Sequence, residues 1–107
     1  MLMFNKFQIA LFSSKLRIAG ILMKKGIKHF KIGKTSQPLK DRFDQNYQAR
    51  YSQIKLVYQS NDLKLIDSLE KELIAYFKKY NANRCDNDQL GGGPDCEGDI
   101  GYIYIVF

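Results

Sequence analysis

Two charged residues of this sequence are the leading candidates for chemistry, because each borders an apolar stripe of a predicted helix. Glu70 falls between Ile74 and Phe77 on a helical wheel drawn at about 100° per residue. A carboxylate in that position loses water, which costs free energy unless a metal ion or an arginine pairs with it. Glu70 therefore indicates a cation-binding site. The alternative is that it only borders the core and reaches solvent.

Arg42 is the second candidate. It precedes Phe43 and lies beside the line of Leu39 and Asn46 on its own predicted helix. A planar guanidinium suits a two-point contact with a phosphate group. The alternative is an ordinary surface arginine that pairs with a neighbouring acid.

Spacing, local context and the number of possible ligands exclude three familiar nucleotide and metal motifs. Gly33-Lys34-Thr35 would end a phosphate loop only if a glycine stood five residues before Gly33, where the sequence has Lys28. The glycines at 91–93 lack the strand-to-helix context of a dinucleotide site. Two cysteines and one histidine are too few for a four-ligand zinc site.

Two helices must hold these candidates, and the apolar pattern predicts both. A stripe at four-residue spacing predicts a helix that carries Arg42 and that Ser36 can cap. The stripe consists of Leu39, Phe43 and Tyr47. A longer stripe predicts a helix over 63–80 that carries Glu70. Its apolar positions are Leu65, Ile66, Leu69, Leu73, Tyr76, Phe77 and Tyr80.

The other apolar segments predict strands, over residues 16–23, 27–33, 54–58 and 101–107. The first two flank a short glycine turn at 24–26 and predict a hairpin with Gly33 at its end. On the last strand, Tyr102 and Tyr104 point to one face. Together the elements predict one domain over 1–107 with an α+β fold, an α/β sandwich. Its small, mainly antiparallel sheet of three to four strands is flanked by helices.

The composition favours a folded, basic domain. The chain has 107 residues, 45% of them hydrophobic, and a formal net charge of +6. That charge attracts polyanions, with nucleic acid ahead of an anionic membrane surface. The alternative is a soluble protein that happens to be lysine-rich and has no such partner. No apolar run reaches the roughly 20 residues that cross a bilayer, so no membrane partner is expected. Cys85 and Cys96 are expected to be reduced, as in a cytoplasmic protein.

The order of several motifs resembles the GIY-YIG nuclease family. Gly20-Ile21-Leu22, a short turn and then Lys31-Ile32-Gly33 resemble the two paired strands that name the family. The segment KIGKTSQPLKDRF, residues 31–43, looks like the second strand and the arginine-bearing helix. The segment LEKELIAYFKKYN, residues 69–81, looks like the later helix. The resemblance covers about 17–93, leaves 101–107 as an extra strand, and is closest to the phage and bacterial branch whose second motif reads KIGKT.

The resemblance implies a three-stranded antiparallel sheet and phosphodiester hydrolysis with one divalent metal, usually Mg²⁺ (or Mn²⁺). It makes Arg42 the phosphate-contacting arginine. It makes Glu70 the metal ligand, because the pair Leu73-Ile74 selects Glu70 over Glu72. Asn81 or Asn87 takes the place of the family's asparagine near the site.

The two signature tyrosines of the family are replaced in this sequence. The first, which is thought to activate the water, aligns with Leu22, and the second aligns with Lys31 or, after a shift of one residue, with Phe30. Neither leucine nor phenylalanine can relay a proton. Lys31 or His29 can substitute as a base. The hydroxyls of the last strand, on Tyr102 and Tyr104, are further candidates.

The leading hypothesis is a metal-dependent endonuclease, a hydrolase that cuts nucleic acid, with DNA ahead of RNA. Glu70 binds Mg²⁺, Arg42 holds the scissile phosphate and Lys31 completes the catalytic set. The expected nucleic-acid contacts are Lys34, Lys40, His29, Asn81 and Asn87. One alternative is a catalytically impaired module of the same fold that binds nucleic acid without cutting it. Another is a phage or toxin-like accessory protein that binds a protein partner.

Overall fold

The computed structural model describes residues 4–24, 26–91 and 96–107. Lys25 of the predicted turn, and Gly92 and Gly93 of the glycine run, lie outside the described residues. Helices and strands alternate along the chain: α1 (Lys6–Lys24), β1 (Lys31–Thr35), α2 (Leu39–Asn46), β2 (Ile54–Ser60), α3 (Leu63–Tyr80) and β3 (Gly101–Val106). The strands form one antiparallel sheet in the order β1-β3-β2, with helices packed on it. This confirms the predicted α+β fold.

The N-terminal segment is a helix, so the predicted strand over 16–23 and its hairpin with 27–33 are wrong. Buried positions of α1 recur every fourth residue, at Ala10, Ser14, Ile18 and Leu22. That spacing places them on one helical face, which packs against α3 and β2. A short apolar run with several isoleucines fits a buried strand and a helix equally well, and tertiary packing decides between them.

The central strand of the sheet is β3, which was predicted to be an extra strand beyond the stretch 17–93 that the family resemblance covers. Its residues Ile103, Tyr104, Ile105 and Val106 are all buried. Ile103 and Ile105 belong to the larger core, whereas Tyr104 and Val106 pack in a second cluster on the opposite face. Because β3 is covered on both faces, its sequence is apolar almost throughout rather than alternating with polar residues.

β1 begins later than predicted, at Lys31, and its partner is β3 rather than the N-terminal segment. Gly33, predicted at the end of the strand, lies in its middle, opposite Tyr104. Phe30 lies before the strand and makes only an isolated parallel bridge to Cys85. The loop that follows α3 is therefore joined to the start of β1.

The two helices that carry the candidates form as predicted. In α2, Leu39 and Phe43 pack on the second cluster beside Tyr47. Pro38, not Ser36, occupies the N-cap position, and no side chain of the described residues caps this helix. α3 spans the predicted 63–80, and the Asp62 carboxylate caps it by accepting a 3.1 Å bond from the backbone N–H of Leu65.

Burial of its apolar stripe holds α3 against the sheet. The buried apolar positions are Leu65, Ile66, Leu69, Leu73, Ile74 and Phe77. Each contributes about 1.5–3 kcal/mol when fully buried. Tyr76 and Tyr80, at the end of the predicted stripe, are exposed instead. Among the described residues, no helix is both long and apolar enough to cross a lipid bilayer.

Candidate active site

A cleft of about 600 Å³ opens where β1, α2, α3, the loop after α3 and Tyr104 of β3 meet. Arg42 and Glu70, the two leading candidates of the sequence analysis, both line it. Polar and charged side chains make up most of the rest of its wall: Lys31, Lys34, Thr35, Ser36, Gln37, Gln45, Tyr47, Asn87, Asp88, Gln89, Glu97 and Tyr104. The two candidates come from helices far apart in sequence, and the sheet brings them together.

Arg42 is held at the cleft by side chains on three sides. Its Nε donates to the Tyr104 hydroxyl at 3.3 Å, and its Nη1 donates to Asn46 Oδ1 at 3.2 Å. Its guanidinium carbon lies 5.8 Å from the centre of the Tyr47 ring. Burial lowers the pKa of Arg42, but the two tyrosines raise it further, so the net shift is upward and the side chain stays cationic. These contacts leave N–H donors of the guanidinium for a ligand.

Tyr104 brings a buried hydroxyl to the cleft from the central strand. Its oxygen lies 2.6 Å from the Tyr47 hydroxyl, and only 1% of the residue is exposed. The opposite residue on β1 is Gly33, where a Cβ would collide with the hydroxyl and the ring of Tyr104. Burial and Tyr47 raise the pKa of Tyr104, and Arg42 lowers it less, so the phenol is neutral at neutral pH.

Glu70 supplies a desolvated carboxylate. It is 5% exposed, and its Oε1 has no hydrogen-bond partner among the described residues. Burial raises the pKa of this carboxyl, while the charge and backbone of Lys34 oppose the rise. Gly91, which has a φ of 97°, approaches closely enough that a Cβ there would lie 3.2 Å from Oε1. A buried oxygen without a partner is the feature expected of a carboxylate that accepts a cation.

An ion-pair cluster lies beside Glu70. The Lys34 side chain is 3% exposed, and its ammonium binds the carboxylate of Asp67, which Lys71 also contacts at 3.2 Å. The hydrogen bond from Lys34 holds the pKa of Asp67 below its usual range. Lys34 was predicted to contact nucleic acid. The structure instead shows it buried and paired at the base of the cleft, where its charge acts on the site from within.

Lys31 and Asn87 lie at the cleft as the sequence suggested, in different environments. Lys31 is half-buried, with its ammonium 5.9 Å from the centre of the Tyr47 ring. Asn87 is buried and bonds to both backbone groups of Ile32, at 2.9 Å and 2.8 Å. It thus pairs with β1 in the way a neighbouring strand would, and it anchors the loop that closes one side of the cleft.

The other predicted contacts do not line the cleft. Lys40 is exposed on α2. Asn81 ends α3 and accepts a 2.9 Å bond from Arg84. His29 lies two residues before β1 begins, and its ring nitrogen Nδ1 is 2.6 Å from Asp86 Oδ2. Leu22, aligned with the first signature tyrosine, is buried on α1 and does not line the cleft either.

Glu70 is the residue of this cleft whose carboxylate has the chemistry to hold a divalent metal. Among residues 4–24, 26–91 and 96–107, no group of three or more His, Cys, Asp or Glu side chains is placed to hold a metal ion. Mg²⁺ does not need such a group, since one or two carboxylates, water and substrate phosphates usually suffice. Oε1 of Glu70, which has no hydrogen-bond partner among the described residues, would be one such carboxylate oxygen, and Asp88 and Glu97 also line the cleft.

Comparisons of the chain with protein-family models, with curated proteins and with solved structures found no match. What the cleft does must therefore be inferred from its own chemistry. It combines a fixed guanidinium, two linked tyrosine hydroxyls and a carboxylate with one oxygen that has no hydrogen-bond partner among the described residues. Of these, the sequence indicated Tyr104 only as one of two further hydroxyl candidates, together with Tyr102, and it gave Tyr47 no role in the site. Tyr47 was recognised only as an apolar position in the stripe of the predicted helix, a signal that indicates packing.

Proposed function

We propose that this protein is a metal-dependent endonuclease that hydrolyses the phosphodiester bonds of nucleic acid, with DNA ahead of RNA as its substrate. The observation that carries the proposal is the convergence of Arg42, Tyr104 and Glu70 on one cleft. The formal net charge of +6 draws a polyanion towards such a cleft. The segments KIGKTSQPLKDRF and LEKELIAYFKKYN, which resemble parts of the GIY-YIG nucleases, support the same reading, whereas Gly20-Ile21-Leu22 lies in α1 and does not form the first of the family's paired strands.

Arg42 is proposed to hold the scissile phosphate. Its position is fixed by Tyr104 and Asn46, so little side-chain entropy is lost when a phosphate binds. A guanidinium placed in advance stabilises the negative charge that develops on the phosphoryl oxygens in the transition state. Removal of such a group typically costs several kcal/mol of barrier, or roughly a hundredfold to a thousandfold in rate.

Glu70 is proposed to hold Mg²⁺ or Mn²⁺ through Oε1, the oxygen that has no partner among the described residues. A metal at this position supplies Lewis-acid polarisation of the phosphate and stabilises the leaving oxygen. The chain's own contribution is a carboxylate kept out of water and next to the ion pair of Lys34 with Asp67. In that ion pair the charges of Lys34 and Asp67 largely offset each other beside Glu70.

Tyr104 is proposed to take the role of the family's first signature tyrosine, the position that aligned with Leu22. The strand that pairs with β1 is β3, and it carries Tyr104 to the cleft while Leu22 lies in α1. Because the phenol is neutral, Tyr104 orients a water by hydrogen bonding and does not act as an ionised base. Lys31 lines the cleft and remains the candidate proton acceptor, whereas His29 lies outside it and is bonded to Asp86.

A second candidate function is a module of the same fold that binds nucleic acid without cutting it. The observation that favours it is the sparse set of metal donors: within the described residues, no three ligands converge on one point. Under this alternative Arg42 and Lys31 still contact the phosphate backbone, and Glu70 has no catalytic role. Binding without metal-dependent cleavage distinguishes the two functions.

The test is incubation of the protein with plasmid DNA, single-stranded DNA and RNA in Mg²⁺, in Mn²⁺ and in EDTA. We expect cleavage that requires the metal and is lost in EDTA. Glu70→Gln and Arg42→Ala should each lower the rate at least a hundredfold. Glu72→Gln, on the exposed side of the same helix, is the matched control and should cut at the wild-type rate.

The outcomes separate the hypotheses. Binding to DNA or RNA with no cleavage in either metal would support the binding module and end the endonuclease proposal. Cleavage that survives Glu70→Gln would remove Glu70 as the metal ligand. Full activity in Lys31→Met would show that Lys31 is not the proton acceptor, and a metal-bound or bulk hydroxide would become the candidate.

A further inference from the structure

The outer face of α1 exposes a continuous row of apolar side chains. Ile9, Phe12, Leu16 and Met23 are 58%, 66%, 60% and 85% exposed, although each belongs to a residue type that is usually buried. Ala19 is half-buried on the same line. We refer to these five residues as the outer seam.

The outer seam has the spacing of a helix–helix contact. Its members are separated by three, four, three and four residues, which is the a and d pattern of a heptad repeat. They occupy only about 80° of the helix circumference at about 100° per residue. The wider apolar face of α1 points the other way, into the core, through Ala10, Ser14, Ile18 and Leu22. A narrow seam of this kind is typical of coiled-coil pairing.

The charges of α1 indicate that a partner docking on the outer seam carries negative charge. The helix contains four basic residues, Lys6, Lys15, Arg17 and Lys24, and no acidic one. Two copies of α1 would bring these like charges together, which disfavours a symmetric dimer through the outer seam. Lys6 contacts Asp62 at 3.4 Å at the surface, and the half-buried Lys15 lies 4.1 Å from the centre of the Tyr76 ring. The exposed ion pair of Lys6 is weak and does not hold that lysine away from a partner.

We propose that the outer seam docks an amphipathic helix of a partner protein, one whose apolar residues are flanked by Asp and Glu. The apolar rows of the two helices interlock, and the acidic flanks of the partner face the basic flanks of α1. No residue of the outer seam lines the cleft. The docking surface is therefore separate from the proposed nuclease site and does not depend on it.

The test uses two synthetic helical peptides of about four heptads, with Ile at a and Leu at d. One peptide carries Glu at e and g, and the other carries Lys there. Binding to the intact protein is measured by calorimetry. We expect the Glu peptide to bind at least tenfold more tightly than the Lys peptide. Phe12→Ser and Leu16→Ser should each weaken the Glu peptide at least tenfold, while the melting temperature stays near that of the wild type because both side chains are exposed.

Gly20 offers a variant that leaves the seam itself untouched. A Cβ at Gly20 would have no atom within 4 Å, so Gly20→Glu fits the folded chain. On the helical wheel it lies next to Ile9, at the edge of the seam. The new carboxylate should weaken the Glu peptide and strengthen the Lys peptide.

Four results would overturn the proposal. The first two are equal binding of the two peptides and binding of neither. The third is a concentration-dependent dimer that Phe12→Ser abolishes. The fourth is binding only to vesicles that contain phosphatidylglycerol, which would identify a lipid surface as the occupant.

Discussion

Replacement of Gly33 by alanine should unfold this protein at a lower temperature, because the position has no room for a methyl group. Gly33 lies in the middle of β1, opposite Tyr104 on the central strand. The Tyr104 ring crosses the space that a Cβ would occupy, so a collision with both the ring and its hydroxyl follows. Tyr104 is 1% exposed and bonded to Tyr47, and it cannot move aside without disturbing the second cluster.

The size of the effect follows from the cost of overpacking. An extra methyl in a well-packed core costs about 1–3 kcal/mol. For a domain of this size, 1 kcal/mol lowers the melting temperature by about 4–8 °C. Gly33→Ala should therefore lower it by about 5–20 °C. The displaced phenol should also release Arg42, whose Nε now donates to Tyr104 at 3.3 Å.

Gly20→Ala is the matched control, since it makes the same chemical change where space is open. No atom would lie within 4 Å of its Cβ, and the position is inside α1. Alanine there should raise stability by about 0.5–1 kcal/mol, through better helix propensity and a less flexible unfolded chain. Both variants are measured by thermal unfolding with far-UV and near-UV circular dichroism.

The near-UV signal reports on the buried tyrosines, so it should change in Gly33→Ala and not in Gly20→Ala. If Gly33→Ala melts within about 2 °C of the wild type and keeps the near-UV spectrum, Tyr104 does not lie over Gly33. The description of the cleft built on Tyr104 would then be refuted. Equal destabilisation by both substitutions would show that any loss of glycine weakens the chain, and that the collision is not the cause.

Three further outcomes are expected. Glu70→Gln should melt at the same temperature as the wild type or higher at pH 7 without metal, because burial raises the pKa of Glu70 and its charged form weakens the fold. The gain in melting temperature should vanish near pH 4, where the carboxyl is protonated, and Glu72→Gln should show neither effect. Asp86 should add stability that is lost as the pH falls through and below about 4, because hydrogen bonds from Tyr51 and His29 lower its pKa although burial alone would raise it. In Asp86→Asn the free energy of unfolding, measured by urea titration, should therefore fall less steeply with decreasing pH than in the wild type. Asn87→Ala should cost about 2–4 kcal/mol in the same titration, because both buried backbone groups of Ile32 lose their partner; a loss under about 0.5 kcal/mol would show that the loop does not depend on this clamp.

The sequence determined the parts of this protein that depend on local periodicity. Seven apolar positions at helical spacing were enough to predict α3 over 63–80. The wheel position of Glu70 placed it at the edge of the core and left open whether the carboxylate is buried or reaches solvent, and the structure shows it buried. The stripe through Phe43 likewise predicted α2 and its arginine. These features could be read directly because the 3.6-residue repeat of a helix fixes which residues share a face, whatever the rest of the chain does.

The N-terminal segment shows where local pattern is insufficient. Residues 16–23 are apolar and rich in isoleucine, and they were predicted as a strand. In the structure they form part of α1, because the buried positions Ser14, Ile18 and Leu22 continue a four-residue spacing that begins at Ala10. A window limited to 16–23 contains too few turns to reveal that spacing, so the decision lies with the whole helix and the surface that it covers.

Tertiary structure alone decided which strands pair and what enters the cleft. β3 is inserted between β1 and β2, and it reaches β1 across more than sixty residues of sequence, from Thr35 to Gly101. Strand pairing is set by non-local contacts that carry little local signal. The pairing places Tyr104 beside Arg42, and the packing of α3 places Asp67 on Lys34. The sequence by itself thus determined the two charged candidates, and the fold supplied the hydroxyls and the ion pair that surround them.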